Sequence, residues 1–190
     1  MNKMVVKLLN WILLLAYTPG MIFFLIKGNI AYSSIFIIAF LASLISSFFI
    51  KHKKLPEYYL LFVNLFIWAD LIGEVFRVYY IFIYYDKILH FIVPLLLAEM
   101  ATFYFRMKKV RIGLAHIFMM IMGILALFEM YEYTLDYLLH MTAMGVLINS
   151  SWVMSPLADT MADLACGALG AIVFLIIYWI KDKGKHLNFI

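Results

Sequence analysis

Long apolar segments constrain the fold of this 190-residue chain more than any other feature of its sequence. Six of them reach the length of about 20 residues that an α-helix needs to cross the ~30 Å hydrocarbon core of a bilayer. Within lipid, every backbone amide must be hydrogen-bonded inside its own segment, so such segments form helices and not open sheets. The sequence therefore predicts an all-α, polytopic membrane protein with a six-transmembrane-helix bundle.

The composition agrees with this prediction. Hydrophobic residues make up 67% of the chain and charged residues 14%, whereas a soluble domain is about half apolar and a quarter charged. The alternating segments of about 10 residues that build a membrane β-barrel are missing. We expect one transmembrane domain over residues 1–190, with spans at about 5–26, 30–50, 57–80, 87–105, 112–133 and 157–180.

Two local features refine the first and the last of the predicted spans. The first segment lacks a small-residue cleavage site and is followed by further spans, so it is predicted to be a helix, not a removable signal peptide. Pro19-Gly20 predicts a break near its middle. The connection 134–156 is the one long loop, with a turn expected at Asn149, Ser150 and Ser151 and a helix start at Pro156.

Lysine and arginine residues concentrate in alternate connections and so predict the orientation. They are Lys3, Lys7, Lys51, Lys53, Lys54, Arg106, Lys108, Lys109, Arg111, Lys181, Lys183 and Lys185. The positive-inside rule places these connections and both termini in the cytoplasm, an N-in/C-in topology. A basic cytoplasmic rim explains the formal charge of +4, so we expect a membrane-lipid environment and no nucleic-acid partner.

Acidic residues recur at one predicted depth, near the outer leaflet, in four different spans. Asp70 and Glu74 lie in span three, Asp86 opens span four one turn above His90, and the rest follow at the top of spans five and six: Glu129, Glu132, Asp136, Asp159 and Asp163. If helix five persists that far, His140 continues the ladder of Glu129, Glu132 and Asp136. Their i,i+3 and i,i+4 spacings place each set on one face of its helix. The sequence therefore predicts that carboxylates far apart along the chain converge on one polar pocket.

Such a cluster needs protons, cations or water, because charged side chains inside a membrane are costly and like charges repel. Arg77 is three residues from Glu74 and seven from Asp70, so an internal salt bridge is the alternative interpretation of span three. Lys87 is expected to point away from Asp86 and extend toward the interface.

The predicted ligand set is rich in carboxylates, includes His90 and contains no thiol, because the single Cys166 lies in an apolar helix. Such ligands favour a divalent metal such as Mg²⁺, Mn²⁺ or Ca²⁺, with Zn²⁺ or iron as further options. Two alternatives remain open: a metal-free cluster that moves protons or ions, and a buried hydrogen-bond network with a structural or binding role.

Small residues in span six predict close helix packing. Ala158, Ala162, Cys166 and Gly170 form one stripe, and the adjoining stripe is made of Asp159, Asp163, Gly167 and Ala171.

Three motifs, "YDKILHF", "ALFEMYEY" and "ADTMADLACGALGA", carry a resemblance. Over about residues 68–175 the chain resembles the YjdF-like family of small bacterial inner-membrane proteins, and more distantly the VanZ-like proteins linked to glycopeptide resistance. The resemblance implies a multi-pass protein of the bacterial cytoplasmic (inner) membrane. The resemblance also implies that the site residues of the family correspond in this chain to Asp86, His90, Glu129, Glu132, Asp159, Asp163 and Gly170. VanZ-like proteins typically have Asn where this chain has Gly167, and an Arg that residues 140–162 lack.

Three functions therefore remain as hypotheses. The first is a metal-assisted hydrolase or transferase that acts on a phosphorylated lipid or lipid-linked envelope precursor. Its ligands or general base would be Asp86, His90, Glu129, Glu132, Asp159 and Asp163. The second is a proton- or cation-coupled transporter, and the third is a non-catalytic binding or envelope-homeostasis protein. The sequence does not define an oligomeric state.

Overall fold

The computed structural model describes residues 3–183, with side chains described through residue 181. Helices and one hairpin follow in this order: α1 Lys3–Leu15, α2 Tyr17–Ile26, α3 Ile30–His52, α4 Glu57–Val75, α5 Val78–Ile81, α6 Tyr85–Met107, α7 Leu114–Leu139, β1 Val146–Ile148, β2 Ser151–Met154 and α8 Pro156–Lys183. Six helical segments in this described part are long and apolar enough to cross a membrane, α1 and α2 counting together as one. The prediction of six spanning helices is thus confirmed.

The helix bounds do not test the N-in/C-in orientation, which stays a prediction. Of the basic residues on which it rests, Lys185 and the side chain of Lys183 lie outside the described residues.

Three helix bounds differ from the sequence prediction. The break in the first span lies at Ala16, ahead of Pro19, because a proline ring clashes with the carbonyl four residues earlier, here that of Leu15. The third span ends at Val75, just before Arg77 adopts a left-handed backbone with φ 57°. The fifth span continues to Leu139, six residues beyond its predicted end.

The chain divides into two compact units, one up to Val78 and the other from Tyr79. The expectation of a single transmembrane domain concerns how these units combine, and it stays a prediction. In the first unit α2 packs on α3, and α4 packs on both α3 and α1.

Polar side chains join three helices of the first unit. Ser43 of α3 donates to Asn64 of α4 over 2.5 Å, and Asn64 donates to Asn10 of α1 over 3.1 Å. Each of the three residues is buried. Hydrogen bonds of this kind hold membrane helices together where lipid supplies no hydrophobic driving force.

In the second unit α6 and α8 form the principal helix pair, and α7 packs against both. An apolar core fills the space between the three helices: Ala98, Ile117, Ile121, Leu125, Ala171 and Leu175.

Two glycines of α8 allow the close approach to α6. A Cβ at Gly170 would overlap the backbone carbonyl of Phe91, and one at Gly167 would lie 3.3 Å from the carbonyl oxygen of His90. The His90 carbonyl has no amide donor from its own helix, because Pro94 stands four residues later. Of the two predicted stripes on α8, the one that contains Gly167 is buried along its length, whereas in the other stripe Gly170 is buried but Ala158 is exposed.

The connection after α7 contains an antiparallel hairpin that the sequence prediction did not include. β1 and β2 pair around Asn149 and Ser150, whose φ angles are 50° and 61°. Positive φ at both central residues is what a type I′ hairpin turn requires. The predicted turn is confirmed, and the flanking strands are new.

Candidate functional site: a buried polar cluster

Three helices of the second unit bring ionisable side chains together. Here "the polar cluster" denotes Asp86, Lys87 and His90 of α6, Glu129 of α7, and Asp159 and Asp163 of α8. The i,i+4 spacings of Asp86/His90 and Asp159/Asp163 place each pair on one helix face. Every member is buried except Asp86, which is half-buried, and Asp163 has no exposed surface. The structure thus joins five of the predicted site residues and adds Lys87.

Lys87 lies at the centre of the cluster. Its Nζ is 2.9 Å from Oδ2 of Asp86, 2.5 Å from Oδ1 of Asp159 and 2.6 Å from Oδ1 of Asp163. The prediction that Lys87 extends toward the interface is wrong. Its flexible stem turns inward because two buried carboxylates and the half-buried Asp86 require a cation, and an ammonium with three donors can bind all three.

His90 lies between the lysine-bound carboxylates and Glu129. Its Nε2 is 3.5 Å from Oδ1 of Asp86 and 4.0 Å from Oδ1 of Asp163, and its Nδ1 is 3.7 Å from Oε1 of Glu129. Within residues 3–181, neither His90 Nδ1 nor either carboxyl oxygen of Glu129 makes a hydrogen bond of regular geometry, although the side chain of Thr160 on α8 interacts with Glu129. Buried polar atoms that lack a regular hydrogen bond are uncommon and frequently belong to functional sites.

The acidic and basic groups of the cluster do not balance. Four carboxyl groups surround one ammonium and one imidazole. Full ionisation of all four would leave buried negative charge, which is costly in a low-dielectric environment. The excess of carboxyl groups therefore requires protons, a cation in addition to Lys87, or water at the half-buried Asp86.

One ligand atom each from Asp86, His90 and Asp163 lies within 4.8 Å of the other two. This spacing and these ligand types suit a divalent metal. However, the carboxylates of Asp86 and Asp163 also bind Lys87. A metal ion and the ammonium would thus compete for the same oxygens, and the metal assignment stays a prediction.

The loop after α7 is bonded directly to the cluster. The amide of Gly145 donates to Oδ2 of Asp159 over 2.7 Å, so this carboxylate binds Lys87 with one oxygen and the loop with the other. Asp136 accepts hydrogen bonds from the amides of Ala143 (2.5 Å) and Met144 (3.0 Å). Asp136 therefore orders the loop.

The remaining candidates have separate positions. Glu132 is buried on α7, three residues after Glu129. His140 ends α7 with φ 52° and is exposed, so the acidic ladder of α7 stops before it.

Three further candidates belong to the first unit. Asp70 and Glu74 lie half-buried on α4, and Arg77 is exposed beyond its end. That these three residues line one polar pocket together with residues of α6, α7 and α8 stays a prediction.

The fold and the cluster define the class: a polytopic helical membrane protein with a buried carboxylate, lysine and histidine site. The family model of the predicted membrane proteins DUF2238 matches residues 9–184, and the chain belongs to this family. It is the YjdF family that the sequence motifs resemble, whereas no comparison supports the VanZ-like resemblance. No curated protein and no solved structure matches the chain.

Proposed function

We propose that this protein is a proton-linked cation transporter and that the polar cluster is its cation site. The observation that carries the proposal is the ammonium of Lys87, buried and bonded to three carboxylates from two helices. Ionisable residues inside membrane spans typically mark ion pathways and proton relays, because their insertion is too costly to persist without a function.

Lys87 supplies a cation that is tethered to the chain and can be displaced. While Lys87 binds Asp86, Asp159 and Asp163, their negative charge is partly neutralised. A transported cation that binds these oxygens must displace the ammonium, and protons that bind them reduce their attraction for either cation. Competition among lysine, proton and cation for one set of oxygens couples two fluxes without any further site.

His90 and Glu129 provide the adjoining proton-binding positions. Their facing atoms, Nδ1 of His90 and Oε1 of Glu129, lie 3.7 Å apart, just beyond hydrogen-bond distance. A proton on either residue would allow a hydrogen bond between them after a small side-chain movement. This arrangement supports a proton path next to the cation site.

Flux in proteoliposomes tests the proposal. Vesicles with an internal pH-sensitive dye receive an inward gradient of Na⁺, K⁺, Mg²⁺ or Mn²⁺ in turn. We expect at least one gradient to drive proton movement, and Asp163→Asn to abolish it. Glu99→Gln is the matched control, since Glu99 also lies on α6 but outside the cluster.

Protein recovery and a monodisperse elution profile establish that each variant is folded. Absence of cation-driven proton flux with folded wild-type protein, or wild-type flux in Asp163→Asn, would contradict the proposal.

A metal-assisted hydrolase or transferase that acts on a phosphorylated lipid or envelope precursor is the second candidate. The observation that favours it is the convergence of ligand atoms from Asp86, His90 and Asp163 within 4.8 Å. A bound metal there would activate water or polarise a phosphate oxygen. Elemental analysis of purified protein tests it: stoichiometric Mg, Mn, Ca or Zn that is lost in Asp163→Ala, without cation-driven proton flux in the wild type, supports the enzyme over the transporter. If neither metal nor flux is found, a non-catalytic binding or envelope-homeostasis role is left.

We further propose the bacterial inner membrane and the N-in/C-in orientation, which put the cluster near the outer leaflet. The distribution of lysine and arginine supports this placement. A cysteine at Ser150, in a Cys166→Ser background, tests it. Labelling by a membrane-impermeant maleimide in intact cells is expected, and labelling only after lysis would reverse the orientation.

A further inference from the structure

An apolar groove lies between the first turns of α7 and the last turns of α8. Its volume is about 380 Å³, within the ~300–1,000 Å³ of typical ligand pockets. Its lining is entirely apolar: Leu114, Ala115, Phe118, Ile172, Leu175, Ile176 and Trp179. The groove is distinct from the polar cluster, because Phe118 precedes Glu129 by eleven residues of α7, a rise of about 16 Å.

Basic residues occur at the ends of the helices that form this groove. Arg111 precedes the lining residue Leu114 by three residues, and Lys181 follows Trp179 by two. Arg106, at the end of α6, places its guanidinium 5.5 Å from the ring centroid of Tyr178, the neighbour of Trp179. Lys108 and Lys109 lie in the same α6–α7 connection. The ends of three helices thus carry five basic residues close in sequence to the groove lining or, for Arg106, in contact with α8.

We propose that this groove binds an anionic phospholipid. One acyl chain lies along the apolar lining, and the phosphate contacts the basic residues at the end of the groove. An apolar lining alone would not distinguish among lipids, because all of them have apolar chains. Groups of four to eight lysines and arginines next to a membrane helix select anionic headgroups, whereas the choline cation of phosphatidylcholine is unfavourable beside them.

Competition between two lipids tests the proposal on the full chain. Native mass spectrometry compares adducts of purified protein in detergent with equimolar phosphatidylglycerol and phosphatidylcholine that carry identical acyl chains. We expect the first adduct to favour phosphatidylglycerol by about fivefold or more, the preference that one lysine or arginine contact supplies. Equal adducts of both lipids on wild-type protein would overturn the proposal, and this arm needs no variant.

Two pairs of variants locate the site. The double variant Arg111→Gln, Lys181→Gln is expected to lose the preference for phosphatidylglycerol. Lys27→Gln removes a positive charge in the first unit and is expected to keep that preference. Ala115→Phe fills the groove and should reduce the adduct. Ala126→Phe, at another exposed alanine of α7 outside the lining, should not. Full phosphatidylglycerol preference in Arg111→Gln, Lys181→Gln, or an undiminished adduct in Ala115→Phe, would refute the site.

Discussion

Removal of the Lys87 ammonium is the most direct test of the structure of the polar cluster. Lys87→Met keeps most of the apolar stem of the side chain but leaves Asp86, Asp159 and Asp163 without the cation that lies 2.5–2.9 Å from each. Each hydrogen bond to a charged group contributes about 1.5–3 kcal/mol, and the desolvation of the ions offsets part of that gain. Loss of one partner from a buried ion pair costs about 3–5 kcal/mol, so we expect the free energy of unfolding to fall by ~3–5 kcal/mol.

Reversible unfolding in mixed micelles, driven by increasing mole fractions of sodium dodecyl sulfate, measures this change. Lys27→Met is the matched control, since Lys27 is exposed and lies 5.9 Å from the centroid of Phe23. Its loss is expected to cost no more than the ~0.5–1 kcal/mol of an exposed cation–π contact.

A double variant separates the ion pair from a general loss of packing. In Lys87→Met, Asp163→Asn the lysine and one of its carboxylates are both removed, so less uncompensated charge remains buried. We expect its destabilisation to fall short of the sum of the single variants by about 1.5–3 kcal/mol. Strict additivity, or a Lys87→Met variant as stable as Lys27→Met, would show that the ammonium is not the counter-ion of the cluster.

Two further predictions use the same unfolding assay. Gly170→Ala should destabilise the protein by about 1–3 kcal/mol, the cost of overpacking, because its Cβ would overlap the carbonyl of Phe91. Gly123 is a helical glycine at which an added Cβ would have no neighbour within 4 Å, so Gly123→Ala should instead stabilise the protein by up to ~1 kcal/mol. If the two substitutions change the free energy of unfolding equally, the close approach of α6 and α8 is contradicted. Asn64→Leu should cost about 1–3 kcal/mol because it leaves buried polar partners unsatisfied. Adding Ser43→Ala should cost little more, and full additivity would argue against the shared hydrogen bond.

The convergence of the acidic residues on α6, α7 and α8 could be predicted from the sequence, because two simple quantities determine it. Distance from the ends of an apolar segment fixes depth in the membrane, and i,i+4 spacing fixes the helix face. Asp86/His90 and Asp159/Asp163 satisfied both criteria and lie together in the structure. Depth in the membrane does not determine which helices are neighbours in the membrane plane. The depth of Asp70 therefore could not relate this residue to the polar cluster.

The position of Lys87 could not be obtained from helical periodicity. As the neighbour of Asp86 it lies about 100° away around the helix, so a face-based argument points it elsewhere. A long flexible stem relaxes that limit, and the decisive quantity is the charge of the surroundings. An excess of buried carboxylates over cations was the signal that could have found it.

The hairpin did leave a signal in the sequence. Asn149, Ser150 and Ser151 stand between the apolar runs at 146–148 and 152–154, a pattern typical of two strands joined by a short turn. The turn was predicted, but strands of three and four residues are too short for alternation to identify them.

The divided bonding of Asp159 has a consequence for how the interior can be observed. One carboxyl oxygen holds an ammonium that solvent scarcely reaches, and the other holds a backbone amide of the α7–α8 connection. Withdrawal of Lys87 would concentrate negative charge on this carboxylate and strengthen its bond to Gly145, and protonation would weaken that bond. The deuterium exchange rate of a single loop amide is therefore a readout of ion occupancy deep inside the protein.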